Sequence, residues 1–274
     1  MRSLPASSPR IGLAAALLAA LLSLVCDDQG PGTGRKPLDS DLLFSVGEGY
    51  APSGVAALPR IVLELQTEKS YPCCNWSIDS RVRVAGQVVT VDVGDICVPE
   101  VCLTAIGPAT ATQFLDLAPG SYTLQLSAGA RLDRYSLAVT DESLTVLADT
   151  AGFTRSQVGT YWRHPPSSFV YLCGTTLENR SMCDDFLDGL RSRVELTEFQ
   201  FPGSGVAPYP RSSSGHYYTA PARCFLYRTD ADFHSCGEFL QSYSREVIGT
   251  RQGNGISLQN WKNESYLSWL YTPR

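Results

Sequence analysis

The sequence is poor in the residues from which most catalytic and metal centres are built. It has three histidines (His164, His216 and His234), and none lies in an H-E-x-x-H motif or at metal-ligand spacing from another. No C-x-x-C motif occurs, which argues against a thioredoxin-type centre and an ordinary zinc site. Nucleophile elbows, phosphate-binding loops, dinucleotide fingerprints and EF-hand loops are also missing. We therefore predict no catalytic residue, no metal ligand and no cofactor.

Clusters of positive charge and long hydrophobic segments are equally scarce. Removing residues 1–25 removes two arginines and no acidic residue, which leaves a net charge of −7. This charge argues against nucleic acid as a partner, because phosphate binding needs clustered Lys and Arg. After residue 25 no apolar run is long enough to cross a bilayer. The hydrophobic content of 43% is typical of globular domains.

The first 26 residues predict export. A polar segment with Arg2 and Arg10 precedes an uncharged, largely apolar run over residues 11–25, which is typical of a secretory signal. The run ends at Cys26, and the segment Leu22-Ser23-Leu24-Val25-Cys26 resembles the signal of bacterial lipoproteins, whose terminal Cys is lipidated. This resemblance implies a cell-envelope protein held to the membrane by a lipid on Cys26. An ordinary cleaved signal peptide, giving a soluble secreted protein, is the alternative.

The cysteine count supports this interpretation. Nine cysteines are present, and setting Cys26 aside leaves eight. They form two sets of four, from which we predict two disulfides per domain and an oxidising compartment. Short separations favour pairing within Cys173/Cys183 and within Cys224/Cys236, whereas the adjacent Cys73 and Cys74 are expected to reach separate distant partners. The eight disulfide candidates are Cys73, Cys74, Cys97, Cys102, Cys173, Cys183, Cys224 and Cys236.

Composition and periodicity divide the mature chain into three parts. Residues 26–58 are predicted to hold the lipid-attachment Cys and a flexible tether, of which 38–58 could instead begin the first strand. Residues 59–148 contain short alternating segments separated by turns, which predicts a β-sandwich. Within them LDLAPGSYTLQL resembles the strand–PG–Tyr–strand hairpin of bacterial immunoglobulin-like modules. That resemblance implies a fold and no function.

Residues 149–274 predict an α+β domain. The order strand, loop, capped helix, strand occurs twice, with capping boxes expected at Ser181 and Ser235 and a Cys in the first turn of each helix. Two such β-α-β halves predict a ferredoxin-like fold. The full fold class is thus a mainly β N-terminal β-sandwich followed by a C-terminal α+β domain.

A long Pro-, Ser- and Gly-rich loop in this second domain is the preferred place for a ligand. It spans residues 202–218, and long loops in compact domains are often functional. Its candidate contacts are Tyr209, His216, Tyr217 and Tyr218, since aromatic residues with polar edges suit stacking on sugars and peptide grooves. Three N-glycosylation patterns, at Asn75, Asn179 and Asn263, would matter only in a eukaryotic source.

Taken together, these features predict an exported, lipid-anchored envelope protein without catalytic activity. Its partners would be the membrane, through the N-terminal lipid, and an envelope protein or polysaccharide. Two other functions stay open: a hydrolase of envelope polymers that uses carboxylates not identifiable by spacing, and a thiol–disulfide protein.

Overall fold

The computed structural model describes residues 34–51, 57–249 and 252–271, which are mainly β. The first 11 strands form one large curled sheet with the order β10-β2-β3-β6-β4-β5-β7-β8-β9-β11, and β1 pairs with β5 outside this path. The strands are β1 (Arg35–Lys36), β2 (Leu42–Gly49), β3 (Arg60–Tyr71), β4 (Ser77–Ala85), β5 (Val88–Cys97), β6 (Gly107–Leu115), β7 (Gly120–Ala128), β8 (Arg131–Val139), β9 (Ser143–Thr150), β10 (Thr154–Ser156) and β11 (Thr160–Trp162).

The curled sheet extends beyond the predicted bounds of 59–148. Strand β2 lies in the segment predicted as tether, because Leu42, Phe44 and Val46 alternate with more exposed residues and enter the core of the sheet. Strands β10 and β11 lie in the segment predicted as the second domain. The interpretation of 38–58 as a first strand is therefore the one that the structure supports for residues 42–49.

The two edges of the curled sheet meet near β2. Strand β10 runs parallel to β2, and β11 pairs with β9 at the opposite end of the order. A Cβ atom at Gly47 on β2 would lie 3.1 Å from the ring of Tyr161 on β11, so the edges are in contact. Asp133 holds this closure in place, since it accepts hydrogen bonds from the backbone N–H of Phe153 and from both the N–H and the hydroxyl of Thr154.

The predicted PG hairpin is wrong. Strands β6 and β7, which flank Pro119-Gly120, are not neighbours but are separated in the sheet by β4 and β5. The hydroxyl of Tyr122 donates a 2.8 Å hydrogen bond back to the carbonyl of Ala118, an arrangement found at corners of β-sandwiches where the chain changes layers. The segment is a crossing between distant strands, and its local sequence does not reveal which strands it joins.

A second sheet follows, with the order β13-β15-β12-β16-β17 and a short strand, β14, beside β12. Two helices connect its strands, and α1 and α2 also contact one another. The elements are β12 (Ser168–Thr175), α1 (Met182–Arg191), β13 (Thr197–Phe199), β14 (Tyr218–Thr219), β15 (Arg223–Leu226), α2 (Asp230–Tyr243), β16 (Gly255–Asn260) and β17 (Ser265–Leu267), with short 3-10 helices over Leu177–Asn179 and Ser268–Leu270 and a π-helical turn over Ser244–Ile248.

The helices cover one face of this sheet. Phe169, Tyr171 and Phe225 belong to the core that the helices share, together with the buried residues Phe186, Leu187 and Leu190 of α1. Because side chains alternate along a strand, Gly174 and Cys224 lie on the other face. Among the described residues, no helix is both long and apolar enough to cross a bilayer.

Only part of the helix-capping prediction is confirmed. Helix α1 starts where expected, but Ser181 makes no side-chain cap bond. Helix α2 begins at Asp230, and its capping box is formed by Thr229 and Asp232. The expected cap at Ser235 is wrong, since this residue lies inside the helix, and Cys236 is consequently not in the first turn.

Candidate functional site

A buried polar cluster joins the two sheets. Glu48, at the end of β2, has only 1% of its side chain exposed, and it contacts Arg163 and His164 in the segment that links the sheets. Its Oε1 accepts a 2.7 Å hydrogen bond from Arg163 Nε, and its Oε2 accepts a 2.8 Å bond from the backbone N–H of His164. The Nδ1 of His164 lies 2.9 Å from the same oxygen. Both carboxylate oxygens are thereby occupied.

The other ring nitrogen of His164 faces Tyr50. Its Nε2 lies 3.3 Å from the Tyr50 hydroxyl, which donates a 2.9 Å bond to the carbonyl of Trp261 in the second unit. The rings of His164 and Tyr209 also pack in a T-shaped arrangement, and the Tyr209 hydroxyl donates to the carbonyl of Ser168. We call Glu48, Tyr50, Arg163, His164 and Tyr209 the junction cluster.

Electrostatics favours a structural role for the junction cluster. Burial alone would raise the pKa of Glu48, but hydrogen bonds from His164 and Arg163 outweigh burial and hold the pKa below its ordinary value. Burial raises the pKa of both Tyr50 and Tyr209 well above the ordinary value, so both phenols stay neutral. A general base would need a free lone pair within reach of a nucleophile, and the contacts of His164 are already taken.

The other two histidines have different polar neighbours. The Nδ1 of His234 lies 3.1 Å from the Tyr266 hydroxyl, and its Nε2 lies 3.4 Å from Glu238 on the same helix. The Nδ1 of His216 lies 3.0 Å from the carbonyl of Gly253. The ranges 34–51, 57–249 and 252–271 hold no group of three or more His, Cys, Asp or Glu side chains that could bind a metal.

Two of the predicted cysteine pairings are present. Cys173 on β12 bonds to Cys183 on α1, the pairing favoured by their short separation. Cys73 bonds to Cys102, a partner 29 residues away. Cys97 is also disulfide-bonded. These bonds are compatible with an exported protein.

The prediction that all eight cysteines are paired is wrong, because Cys74, Cys224 and Cys236 are thiols. Cys236 packs in the core beneath the helices, whereas Cys224 lies on the opposite face of the same sheet, so the favoured Cys224–Cys236 bond would have to pass through the sheet. Burial raises the pKa of Cys224 to about 11 and that of Cys236 to about 12. Reactive thiols have lowered pKa values, so neither is a redox nucleophile. Cys74 is exposed.

The predicted ligand loop divides into a buried and an exposed part. Tyr209 is 5% exposed and belongs to the junction cluster, and it also lines the groove that Tyr218 borders. Tyr218 forms part of β14 and lines an open groove of about 530 Å³, together with Phe199, Phe201 and Arg223. Tyr217 is 88% exposed, the largest exposed fraction among the exposed large hydrophobic residues of the described chain.

His216 lies on a pair of glycines. Gly174 on β12 and Gly255 on β16 are partners across the sheet. A Cβ atom at Gly174 would come within 2.2 Å of the His216 ring, and one at Gly255 would come within 3.1 Å. The ring therefore occupies the space that two side chains would otherwise fill, which is a close approach that only glycine permits.

Two further exposed residues complete this surface. A ring carbon of Trp269 lies 3.5 Å from the Cβ position of Gly255, on the same glycine that His216 covers. Trp269 is 53% exposed and Leu270 65%. We give the name His216 patch to His216 and Trp269, which both cover Gly255, together with their exposed neighbours in sequence, Tyr217 and Leu270. Sequence reasoning identified its first two members and missed the glycine pair, although isolated glycines inside strands often mark such a close approach.

Comparison of the chain with protein-family models, with curated proteins and with solved structures gave no match.

Proposed function

We propose that the protein is an exported, lipid-anchored envelope protein that binds an extended polysaccharide without catalysing a reaction. The observation that carries this proposal is the His216 patch, where Tyr217 and Trp269 expose large aromatic surfaces beside a fixed imidazole ring. Aromatic faces with a polar edge suit the alternating apolar and hydroxylated surfaces of sugars. Burial of such rings is the usual fate in a folded protein, so exposure of two in one patch marks an interaction surface.

The groove beside the patch supports an extended ligand. Residues 202–218 contribute Tyr218 to the groove and His216 to the patch, so one loop borders both surfaces. The groove also carries a fixed charged pair, since Arg223 donates two hydrogen bonds, of 2.8 and 2.6 Å, to Glu198. Hydrogen bonds from Arg223 lower the pKa of Glu198. A polymer that crosses both surfaces would meet stacking platforms and charged hydrogen-bonding groups in turn.

The architecture that we propose pairs a spacer with a recognition domain. The curled sheet would be an immunoglobulin-like β-sandwich that acts as spacer. In the second unit, strands β12, β13, β15 and β16 follow one another with the helices in β-α-β-β-α-β order, and their order in the sheet supports a ferredoxin-like fold. Recognition would take place on the second unit, which carries both the groove and the patch.

The anchor is tested by mass spectrometry of the native protein. We expect the N-terminal peptide to begin at Cys26 and to carry the mass of a thioether-linked lipid. The sulfur of Cys26 can form a thioether or a disulfide but not both. A disulfide-linked peptide that contains Cys26 would therefore exclude lipidation and favour a soluble secreted protein.

Ligand binding is tested by affinity electrophoresis of the mature chain in gels that contain envelope polysaccharides. We expect the protein to be retarded and the Trp269→Ala variant to lose at least about tenfold in affinity, since aromatic anchors dominate many interfaces. Leu147→Ala, at a similarly exposed residue on β9, is the matched control and should bind normally. Retardation by no polysaccharide, or shortening of the polymer, would contradict a non-catalytic polysaccharide-binding function.

A further inference from the structure

The loop between β5 and β6 exposes aliphatic side chains of a kind that soluble proteins normally bury. Residues 98–106 include Val101, Leu103 and Ile106, which are 73%, 55% and 79% exposed. The loop contains one charged residue, Glu100. We call residues 98–106 the apolar loop. Clustered exposed apolar residues mark contact surfaces for proteins or membranes.

The backbone of the apolar loop is held in this exposed arrangement. The disulfide Cys73–Cys102 ties its centre to the end of β3. On either side of the disulfide, the Asn75 side chain donates a 2.8 Å hydrogen bond to the carbonyl of Val101 and accepts a 3.1 Å bond from the N–H of Leu103. The aliphatic side chains therefore face solvent on a fixed support, not on a segment that could fold them inward.

The first described residue lies beside the apolar loop. Gly34 accepts a 2.8 Å hydrogen bond from the N–H of Val98, at the start of the apolar loop. Cys26 precedes Gly34 by eight residues, which span at most about 29 Å even when fully extended. If Cys26 carries the lipid, this end of the molecule is the end nearest the membrane. Strand β1 lies at the same end, where Lys36 is exposed and Arg35 forms a 3.6 Å ion pair with Asp79. Cations at this end are attracted to anionic lipid headgroups.

We propose that the apolar loop rests on the lipid surface, with Val101, Leu103 and Ile106 inserted at the headgroup level and Arg35 and Lys36 beside the headgroups. The inference rests on the proposed lipid anchor for its orientation. The contact would hold the curled sheet on the membrane by one end and direct the second unit away from this contact. A protein surface, including a second copy of this chain, is the competing occupant.

The experiment uses the mature chain from residue 26 made without the lipid, so that the loop is tested separately from the anchor. We expect it to co-sediment with vesicles of phosphatidylcholine and, more strongly, with vesicles that also contain phosphatidylglycerol. The triple variant V101S/L103S/I106S should lose at least about tenfold in vesicle partitioning, because several aliphatic side chains no longer transfer from water. The control L132S/L147S/L177S removes three exposed leucines elsewhere and should partition like wild type.

The native thiol of Cys74 provides a second readout. Cys74 is exposed and adjoins the C-terminal end of the apolar loop, since its Cβ lies 3.0 Å from the Cβ position of Gly107. For this readout the chain carries Cys26→Ser, which removes the thiol that the absent lipid would have occupied. Cys224 and Cys236 have raised pKa values, so a maleimide dye at neutral pH should then label Cys74 selectively. We expect the emission of a polarity-sensitive dye to shift to the blue on adding vesicles, and the shift to disappear in V101S/L103S/I106S.

Three results would overturn the proposal. Absence of vesicle binding by wild type is the first, and equal binding by V101S/L103S/I106S is the second. The third is a dimer that this variant abolishes, which would assign the loop to a second copy of the chain. Polysaccharide binding measured on the same samples separates the two proposals, because the apolar-loop variant leaves the His216 patch intact.

Discussion

His164 and His216 show the same residue type in two opposite settings. His164 is 8% exposed and sits between Glu48 and Tyr50, where it contributes to contacts that join the two sheets. His216 has one hydrogen-bond contact, with the carbonyl of Gly253, and lies on bare backbone at the surface. A buried polar group must have its partners inside the protein, whereas a partly exposed ring can offer an edge and a face to a ligand. Composition alone cannot distinguish the two settings.

The largest expected effect comes from breaking the junction cluster. Glu48→Gln keeps the size of the side chain but removes the charge that faces Arg163 and His164. Loss of one member of a buried ionic network typically costs about 3–5 kcal/mol, so the free energy of unfolding should fall by about that amount. Chemical denaturation monitored by tryptophan fluorescence measures the change.

The matched control for Glu48→Gln is Glu68→Gln. Glu68 forms an ion pair with Arg155 on the same curled sheet, but the two side chains are 41% and 72% exposed. Exposed pairs contribute roughly 0–1 kcal/mol, so this variant should stay close to wild type. Equal losses in the two variants would show that the junction cluster is no more important than a surface pair.

The pH dependence of stability tests whether the charge of the Glu48 carboxylate stabilises the fold. Its pKa is lowered in the folded protein, so its contribution is complete above its unfolded pKa of about 4.3 and is lost as the pH falls through the folded value. The stability difference between wild type and Glu48→Gln should therefore narrow below about pH 4. Urea unfolding over an acidic pH series tests this, and a difference that stays constant would mean that the carboxylate charge stabilises nothing.

The junction cluster could not be predicted from the sequence. Glu48 and His164 are 116 residues apart, and no local pattern specifies that the edges of the curled sheet meet beside them. The same limitation applies to the PG–Tyr segment, whose turn chemistry was recognised but whose flanking strands turned out to be separated by two others. Periodicity reports which side of a strand is buried, and it does not report which strand lies next to it.

Local signals were more reliable where the structure depends on neighbours in sequence. The short alternating strands within residues 59–148 and the start of α1 after Ser181 were predicted correctly. The start of α2 was placed at Ser235, although Thr229 and Asp232 match the same capping pattern six residues earlier. Two equivalent signals compete there, and tertiary packing decides between them.

A side chain added at Gly174, beneath the His216 ring, should disturb the His216 patch more than the fold. Gly174→Ala places a methyl group within 2.2 Å of the His216 ring, so the ring must move. We expect a stability loss of about 1–3 kcal/mol, as for other overpacked sites, together with shifted His216 resonances in NMR spectra and weaker polysaccharide binding. Gly203→Ala, in the loop that carries His216 but with open space around its Cβ position, is the control and should leave stability, resonances and binding unchanged. Unshifted His216 resonances in Gly174→Ala would contradict the close approach of the His216 ring to Gly174.

The smallest effect on stability is expected at Tyr217, where the effect on binding should be among the largest. Because its side chain is 88% exposed, Tyr217→Ala should change the free energy of unfolding by no more than about 0.5 kcal/mol. Polysaccharide affinity should nevertheless fall at least about tenfold, and Tyr217→Phe should restore most of it if ring stacking provides the contact. Calorimetry and chemical denaturation on the same preparations separate these quantities. Loss of stability without loss of affinity would show that Tyr217, like His164, has a structural role and not a binding role.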